Sequence, residues 1–289
     1  MDETKKKYTL AILHILTSAL CFALMAFFVR LSGDIPTMQK AFFRNAVALV
    51  IATIALAKSA EGFKIQKNSW KDITFRCLFG TSGLIANFWA IDQMALADAN
   101  MLNKMSPFFA MLMSIIILKE KPNKTEWATL IVAFIGAVFI IRPSSGVASF
   151  KALIALYGGF GAGTAYAFVR RLGKKGERSA VIVFCFSLFS TMITLPFLAA
   201  GFKPMSGRQI IILSLAGISA AIAQFNITAA YQLAPAKSIS VFDYTQVIFA
   251  AILAAVFLKD YPNSMSYIGY ALIIGAAVIK WLHGLKKNA

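Results

Sequence analysis

Arg44, Asp92, Lys104, Asp243 and His14 lie within apolar stretches of the chain. On membrane-insertion scales a charge at the centre of a helix costs about 2.5–3.5 kcal/mol, so each needs a partner or a task. Arg44, Asp92 and Lys104 are expected toward the same end of their helices, where a mixed-charge cluster can hold a carboxylate or a phosphate. The alternative is a structural ion pair, or long side chains reaching out to the interface. Asp243 is expected toward the other end of its helix. A carboxyl there can exchange a proton as its surroundings dry out, which suits energy coupling. Hydrogen bonding to Tyr244 or Gln246 as part of a gate suits it equally. His14 can pass protons or sit as a packed core histidine. Lys104 and Asp243 start from opposite ends of their helices and are not expected to touch.

A second set of polar residues is neutral. The stretch Leu78–Phe88, LFGTSGLIANF, returns as Leu215–Phe225, LAGISAAIAQF, with six of eleven positions identical and Asn87 facing Gln224. At helical spacing Gly80, Gly83 and Asn87 form one stripe, as do Gly217, Ala220 and Gln224. Two apolar helices thus carry a small-residue stripe ending in an amide, as the two walls of a central pathway would. Asn87, Gln224 and the nearby Asn226 are therefore substrate-binding candidates, with helix-to-helix hydrogen bonding as the competing role. Trp89, Tyr166, Tyr231 and Tyr244 can supply aromatic walls. Of these, Trp89 and Tyr244, with Lys104 and Arg44, complete the substrate list; Asp243, His14 and Asp92 are the coupling or gate candidates.

The elements that must position these residues are membrane helices. Hydrophobic residues make up 59% of the chain, charged residues 14%, and the mean hydropathy is +0.71. A soluble domain carries nearer a quarter charged residues. Ten apolar segments are long enough for a hydrocarbon core that needs about 20 helical residues: 8–29, 39–58, 73–97, 99–118, 124–142, 150–170, 179–200, 208–232, 238–258 and 265–284. The apolar run after Lys5–Lys7 reads as an uncleaved first helix. Pro107 and Pro196 are expected to bend their helices, and GGFGAG (158–163) thins one for close packing. The net charge of +17 does not imply nucleic acid, because most Lys and Arg sit in short gaps between apolar runs. Three scattered cysteines give neither disulfides nor a zinc site. No metal, cofactor or catalytic group is expected.

The repeat runs through the chain. Phe28, Val29, Arg30 and Gly33 match Phe168, Val169, Arg170 and Gly173 at an offset of 140, and Leu118, Lys119, Pro122 and Asn123 match Leu258, Lys259, Pro262 and Asn263. A repeat of five helices is odd, so its second copy enters the membrane inverted, as in secondary transporters that hold substrate near the midplane. The fold expected is all-α and integral to the membrane: ten transmembrane helices in two inverted five-helix repeats, 1–145 and 146–289. Counting Lys and Arg by gap gives twenty on the N-terminal side against eight on the other. This bias places both termini in the cytoplasm.

FFRNAVAL (42–49), LADANMLNKMSPFFAMLMSIIILKEK (96–121), YQLAPAKSISVFDYTQVIFAAI (231–252) and FLKDYP (257–262) resemble the EamA-type branch of the drug/metabolite transporter superfamily. The segment around FDYT is similar to the branch that includes S-adenosylmethionine importers. The resemblance implies a secondary carrier in the cytoplasmic membrane that moves an amino acid, amine or nucleotide-derived compound by alternating access, as a monomer or homodimer, with proton coupling open. A lipid flippase or a structural membrane subunit is the competing class; clustered His, Asp or Glu that an enzyme would need are missing from the pattern.

Overall fold

The computed structural model describes residues 3–93, 102–141, 150–259 and 264–287. Ten principal helices follow one another: α1 (Glu3–Leu31), α2 (Thr37–Ala57), α3 (Trp70–Gln93), α4 (Ser106–Leu118), α5 (Lys124–Ile141), α6 (Phe150–Lys174), α7 (Ser179–Gly201), α8 (Gly207–Leu233), α9 (Thr245–Leu258) and α10 (Ser264–Lys287). Among the described residues, six spans are both long and apolar enough to cross a membrane: Lys5–Leu31, Thr37–Ala57, Phe150–Lys174, Ser179–Gly201, Gly207–Leu233 and Ala236–Phe257.

The ninth span is not one regular helix. A single turn, Ala236–Ile239, passes into a 3₁₀ turn, Ser240–Tyr244, before α9 begins. Its repeat mate α4 is also short, starting at Ser106 with Pro107 in its first turn. Pro107 therefore opens a helix instead of bending one, at a position where its missing N–H has no intrahelical partner to lose. Pro196 does lie inside its helix, α7. Helices α4 and α9 end alike. Lys119 and Lys259, 140 residues apart, both cap their helices in the left-handed region, at φ 57° and 55°.

Helix pairing carries the symmetry. The pairs α1–α8 and α3–α6 are exchanged when each helix is replaced by its repeat mate, as are α1–α9 with α4–α6 and α2–α8 with α3–α7. The pairs α2–α7 and α5–α10 map onto themselves. All of these contacts join one half of the sequence to the other. The two repeats are interlocked, so neither half is a bundle in its own right.

Close approach at α6 makes the interlocking possible. A Cβ on Gly161 would lie 2.7 Å from the Phe79 carbonyl of α3, and one on Gly163 would lie 2.6 Å from the Ser106 carbonyl and Ala110 nitrogen of α4. The glycine run lets two helices pack backbone to backbone against its faces, as small residues do in bilayers. On the N-terminal side a large apolar core closes the bundle, including Tyr8, Ile12, Leu56, Ile73, Ile182 and Tyr231.

Gly163→Val should lower the melting temperature, because overpacking costs about 1–3 kcal/mol and the atoms it meets are the α4 backbone and Phe109 Cβ, none of them the far end of a flexible side chain. Gly275→Ala, where a Cβ meets nothing within 4 Å, should leave it unchanged or slightly raised. Equal melting temperatures for the two variants in detergent would refute the close-approach account.

Candidate functional site

A cavity of about 510 Å³ lies among α1, α2, α3, α6, α8, α9 and the segment before α4. Six residues singled out in the sequence meet in its wall: Arg44, Asn87, Lys104, Tyr166, Gln224 and Asp243. The wall also includes Arg30 and Lys40, at the ends of α1 and α2 that flank the 32–36 turn. The cavity thus reaches toward that side, while the apolar core and an ion-pair belt seal the other.

The belt centres on the C-terminal end of α6. Arg170 and Lys174 reach Glu120 at 3.4 and 2.8 Å, and Arg171 and Lys175 reach Asp72 at 3.4 and 2.7 Å. Arg170 also donates to the Gln232 carbonyl at 2.5 Å. Arg178 donates to the carbonyls of Gly62 and Lys64 at 2.9 and 2.8 Å. Glu120 and Asp72 are largely buried beneath their partners, so these pairs are screened less than open surface pairs. On the cavity's own side the link between the 32–36 turn and the α7–α8 connection is lighter. Lys203 meets the fully exposed Asp34 at 2.5 Å, a pair that contributes little in water, and Gln39 exchanges hydrogen bonds of 2.8 and 2.9 Å with the Lys203 backbone.

Lys104 and Asp243 do touch, with Nζ 3.8 Å from Oδ2, and Lys104 also donates to Gln246 Oε1 at 2.6 Å. This corrects the sequence expectation. The expectation assumed spans of full length, whereas α4 and α9 have 13 and 14 residues, about 20 Å each at 1.5 Å per residue. Both residues consequently sit well inside the roughly 30 Å core, and the lysine stem bridges what remains.

Other candidates fall elsewhere. Tyr244 is fully buried and donates to the Lys104 carbonyl at 2.9 Å; it braces the backbone and does not line the cavity. His14 Nδ1 meets Asn226 Oδ1 at 2.7 Å, and Asn226 donates back to the Ile222 carbonyl at 2.8 Å. These two join α1 to α8 outside the cavity wall, the helix-pairing role rather than substrate contact or proton transfer. Trp89 is half-buried away from the cavity, and its neighbour Phe88 lines it instead. In the second stripe only Gln224 reaches the wall, since Gly217 packs on Val47 of α2. Asp92 belongs to the last turn of α3, and its side chain lies outside the described residues.

Arg76 is the residue that sequence reading missed. Counted there with the loop cations although it falls at the start of the expected segment 73–97, it lies two turns into α3, is 2% exposed and opens onto the cavity. Its guanidinium lies over the Phe186 ring at 4.0 Å in space that any side chain at Gly80 would take. The usable signal was the stripe itself: Arg76, Gly80, Gly83 and Asn87 follow at intervals of four, three and four. Tyr166, stacked on Tyr231 at 4.7 Å and 8°, Gln246 and Asn103 complete the polar lining.

The EamA-like transporter family model matches the chain twice, over residues 9–142 and 149–281. An uncharacterized transporter of Helicobacter pylori is 28% identical over 95% of both chains. The pseudopaline exporter of Pseudomonas aeruginosa is 26% identical over 96% of both. A crystal structure 18% identical in sequence superposes with a TM-score of 0.81, covering 96% of this chain and 99% of the other.

Lys104→Ala and Asp243→Ala should each lower the melting temperature by more than half of what the double variant does. Breaking one partner leaves the other charge stranded, and contacting residues couple by about 0.5–3 kcal/mol. Strict additivity across the cycle would show that the pair is not an energetic unit.

Proposed function

The chain belongs to the EamA-like transporter family, and from that premise we propose that it is a secondary active transporter carrying a small organic metabolite across the cytoplasmic membrane by alternating access. The observation that carries this reading is the one-sided cavity: lined from both halves of the repeat, with charged and amide side chains set in a largely apolar wall, and sealed at one end by the α6 belt. Arg170 sits at the sealed end, and its repeat mate Arg30 sits at the open one. Inverted repeats let such a chain exchange the two arrangements. Because the halves interlock, exchange proceeds by re-pairing of helix ends across the repeat boundary, with α6 releasing Asp72 and Glu120 as α1 closes.

Both termini face the cytoplasm. Moving the bundle residues Arg76, Lys280 and Lys104 out of the loop count leaves eighteen basic residues against seven, so the bias of the positive-inside rule stands. The cavity then opens to the outside. In a chain whose native cysteines are replaced by serine, Asp34→Cys should react with an impermeant maleimide in intact cells and Lys64→Cys should not. The reverse pattern would invert the orientation.

Asp243 carries the coupling proton. In the outward state Lys104 balances its charge, and separation of the two in the inward state leaves a lone carboxyl that takes a proton. Asp243→Asn imitates the protonated form, and Gln246 still holds Lys104. Liposomes bearing Asp243→Asn should retain exchange of a metabolite found by thermal-shift screening and lose its pH-driven accumulation. Accumulation by the variant at the wild-type level would remove Asp243 from coupling, and indifference of the wild type to the gradient would make the protein an exchanger or uniporter.

A further inference from the structure

We infer that the substrate is an organic oxyanion whose acidic group is bound by Arg44 and Arg76. The inference rests on the transporter reading and narrows it. Arg30, Lys40, Arg44, Arg76 and Lys104 line the cavity against a single carboxylate, Asp243, which Lys104 already engages. Arg44 is 6% exposed and Arg76 2%, and neither has an ion-pair partner among the described residues. Arg44 Nε is turned to Met25 Sδ at 3.1 Å, while its Nη1, like Arg76 Nε, has no hydrogen-bond partner among the described residues.

Two buried guanidiniums opening into one space without a counter-charge are poor structural devices, since a buried ion left unpaired is strongly destabilising. They are good ligands for planar carboxylates or phosphates, whose oxygens match the guanidinium fork. Asn87 Oδ1 and Gln224 Nε2 likewise have no hydrogen-bond partner among the described residues. They add an acceptor and a donor for the polar part of the same molecule. Tyr166, Phe88 and Phe186 supply apolar or ring-stacking surface. The volume, about 510 Å³, lies within the usual range for metabolite sites. A sulfonium or amine, the class suggested by the likeness to S-adenosylmethionine importers, would meet net like charge.

The test uses purified full-length protein and a bacterial metabolite extract divided by ion exchange at neutral pH into anionic, zwitterionic or neutral, and cationic pools. Only the anionic pool should raise the melting temperature. Prior treatment with alkaline phosphatase abolishes the rise if the bound group is a phosphate ester and spares it if it is a carboxylate. Arg44→Gln and Arg76→Gln should each weaken the stabilising effect about tenfold or more, the loss of one charge-assisted hydrogen bond. Without metabolites both variants should melt no lower than the wild type. A lower melting temperature would give the arginines a structural role and overturn the inference. So would stabilisation by the cationic or neutral pool, which leaves the carrier reading intact, and so would no stabilisation by any pool. Absence of flux from liposomes loaded with the whole extract would overturn the carrier reading separately.

Discussion

A charge facing hydrocarbon has nowhere to go, and the arrangement of this bundle follows from that constraint. Arg44, Arg76, Lys104 and Asp243 all turn inward onto a single enclosed space, and the lipid-facing surface is left to residues such as Ile54, Leu153, Met192 and Ile211. Enclosure requires helices that approach closely enough to shut lipid out. The glycines of α6 permit this toward α3 and α4, and α1 with α8 and α9 completes the opposite wall. Lys280 and Glu126 show the same rule away from the cavity: α10 and α5 can bury a cation there only because it meets its carboxylate at 3.1 Å.

Interlocking of the repeats has a mechanical consequence. Were each half a separate bundle, alternating access would be a hinge between two bodies. Here α1 packs on α8 and α6 on α3, so the main helix contacts run between halves, and the exchange proposed above would redistribute contacts at helix ends. The two sides differ in the manner this requires. One carries the dense belt of Arg170, Arg171, Lys174 and Lys175 on Asp72 and Glu120. The other is held by side chain to backbone hydrogen bonds and an exposed pair. Short α4 and α9, with irregular backbone just before α9, put non-helical chain at membrane depth, which is tolerated where it is enclosed by protein or lines a cavity.

The helices, their number and the inverted repeat were legible because they depend on length, hydropathy and recurrence, all written in the order of residues. Asn87 and Gln224 were legible as a pair because recurrence marked them. Legibility stopped where depth and facing decide the outcome. Arg76 was hidden by a boundary: it stands at the edge of the expected segment 73–97 and was counted with the flanking cations, yet α3 begins at Trp70. The Lys104–Asp243 contact was hidden by helix length, since an apolar run does not reveal that its first residues fold as a 3₁₀ turn. Asn226 and His14 were legible as polar residues in apolar helices, but which way they face was not. Two residues beyond Gln224, Asn226 points some 200° around the helix at 100° per residue, toward α1 and away from the cavity.

The symmetry of the scaffold does not extend to every charge of the cavity. Backbone features are duplicated: the left-handed caps at Lys119 and Lys259, and the glycines at 80 and 217. Arg30 is matched by Arg170, whereas Arg44, Arg76 and Lys104 have no charged counterpart. Arg76 corresponds to Leu213 and Lys104 to Tyr244, and α7, the mate of α2, carries no charged residue to answer Arg44. Had the cations been copied with the helices, the cavity would hold paired like charges whose mutual repulsion the bundle could not offset. A duplicated shell thus encloses a cavity whose Arg44, Arg76 and Lys104 all come from the first half of the chain.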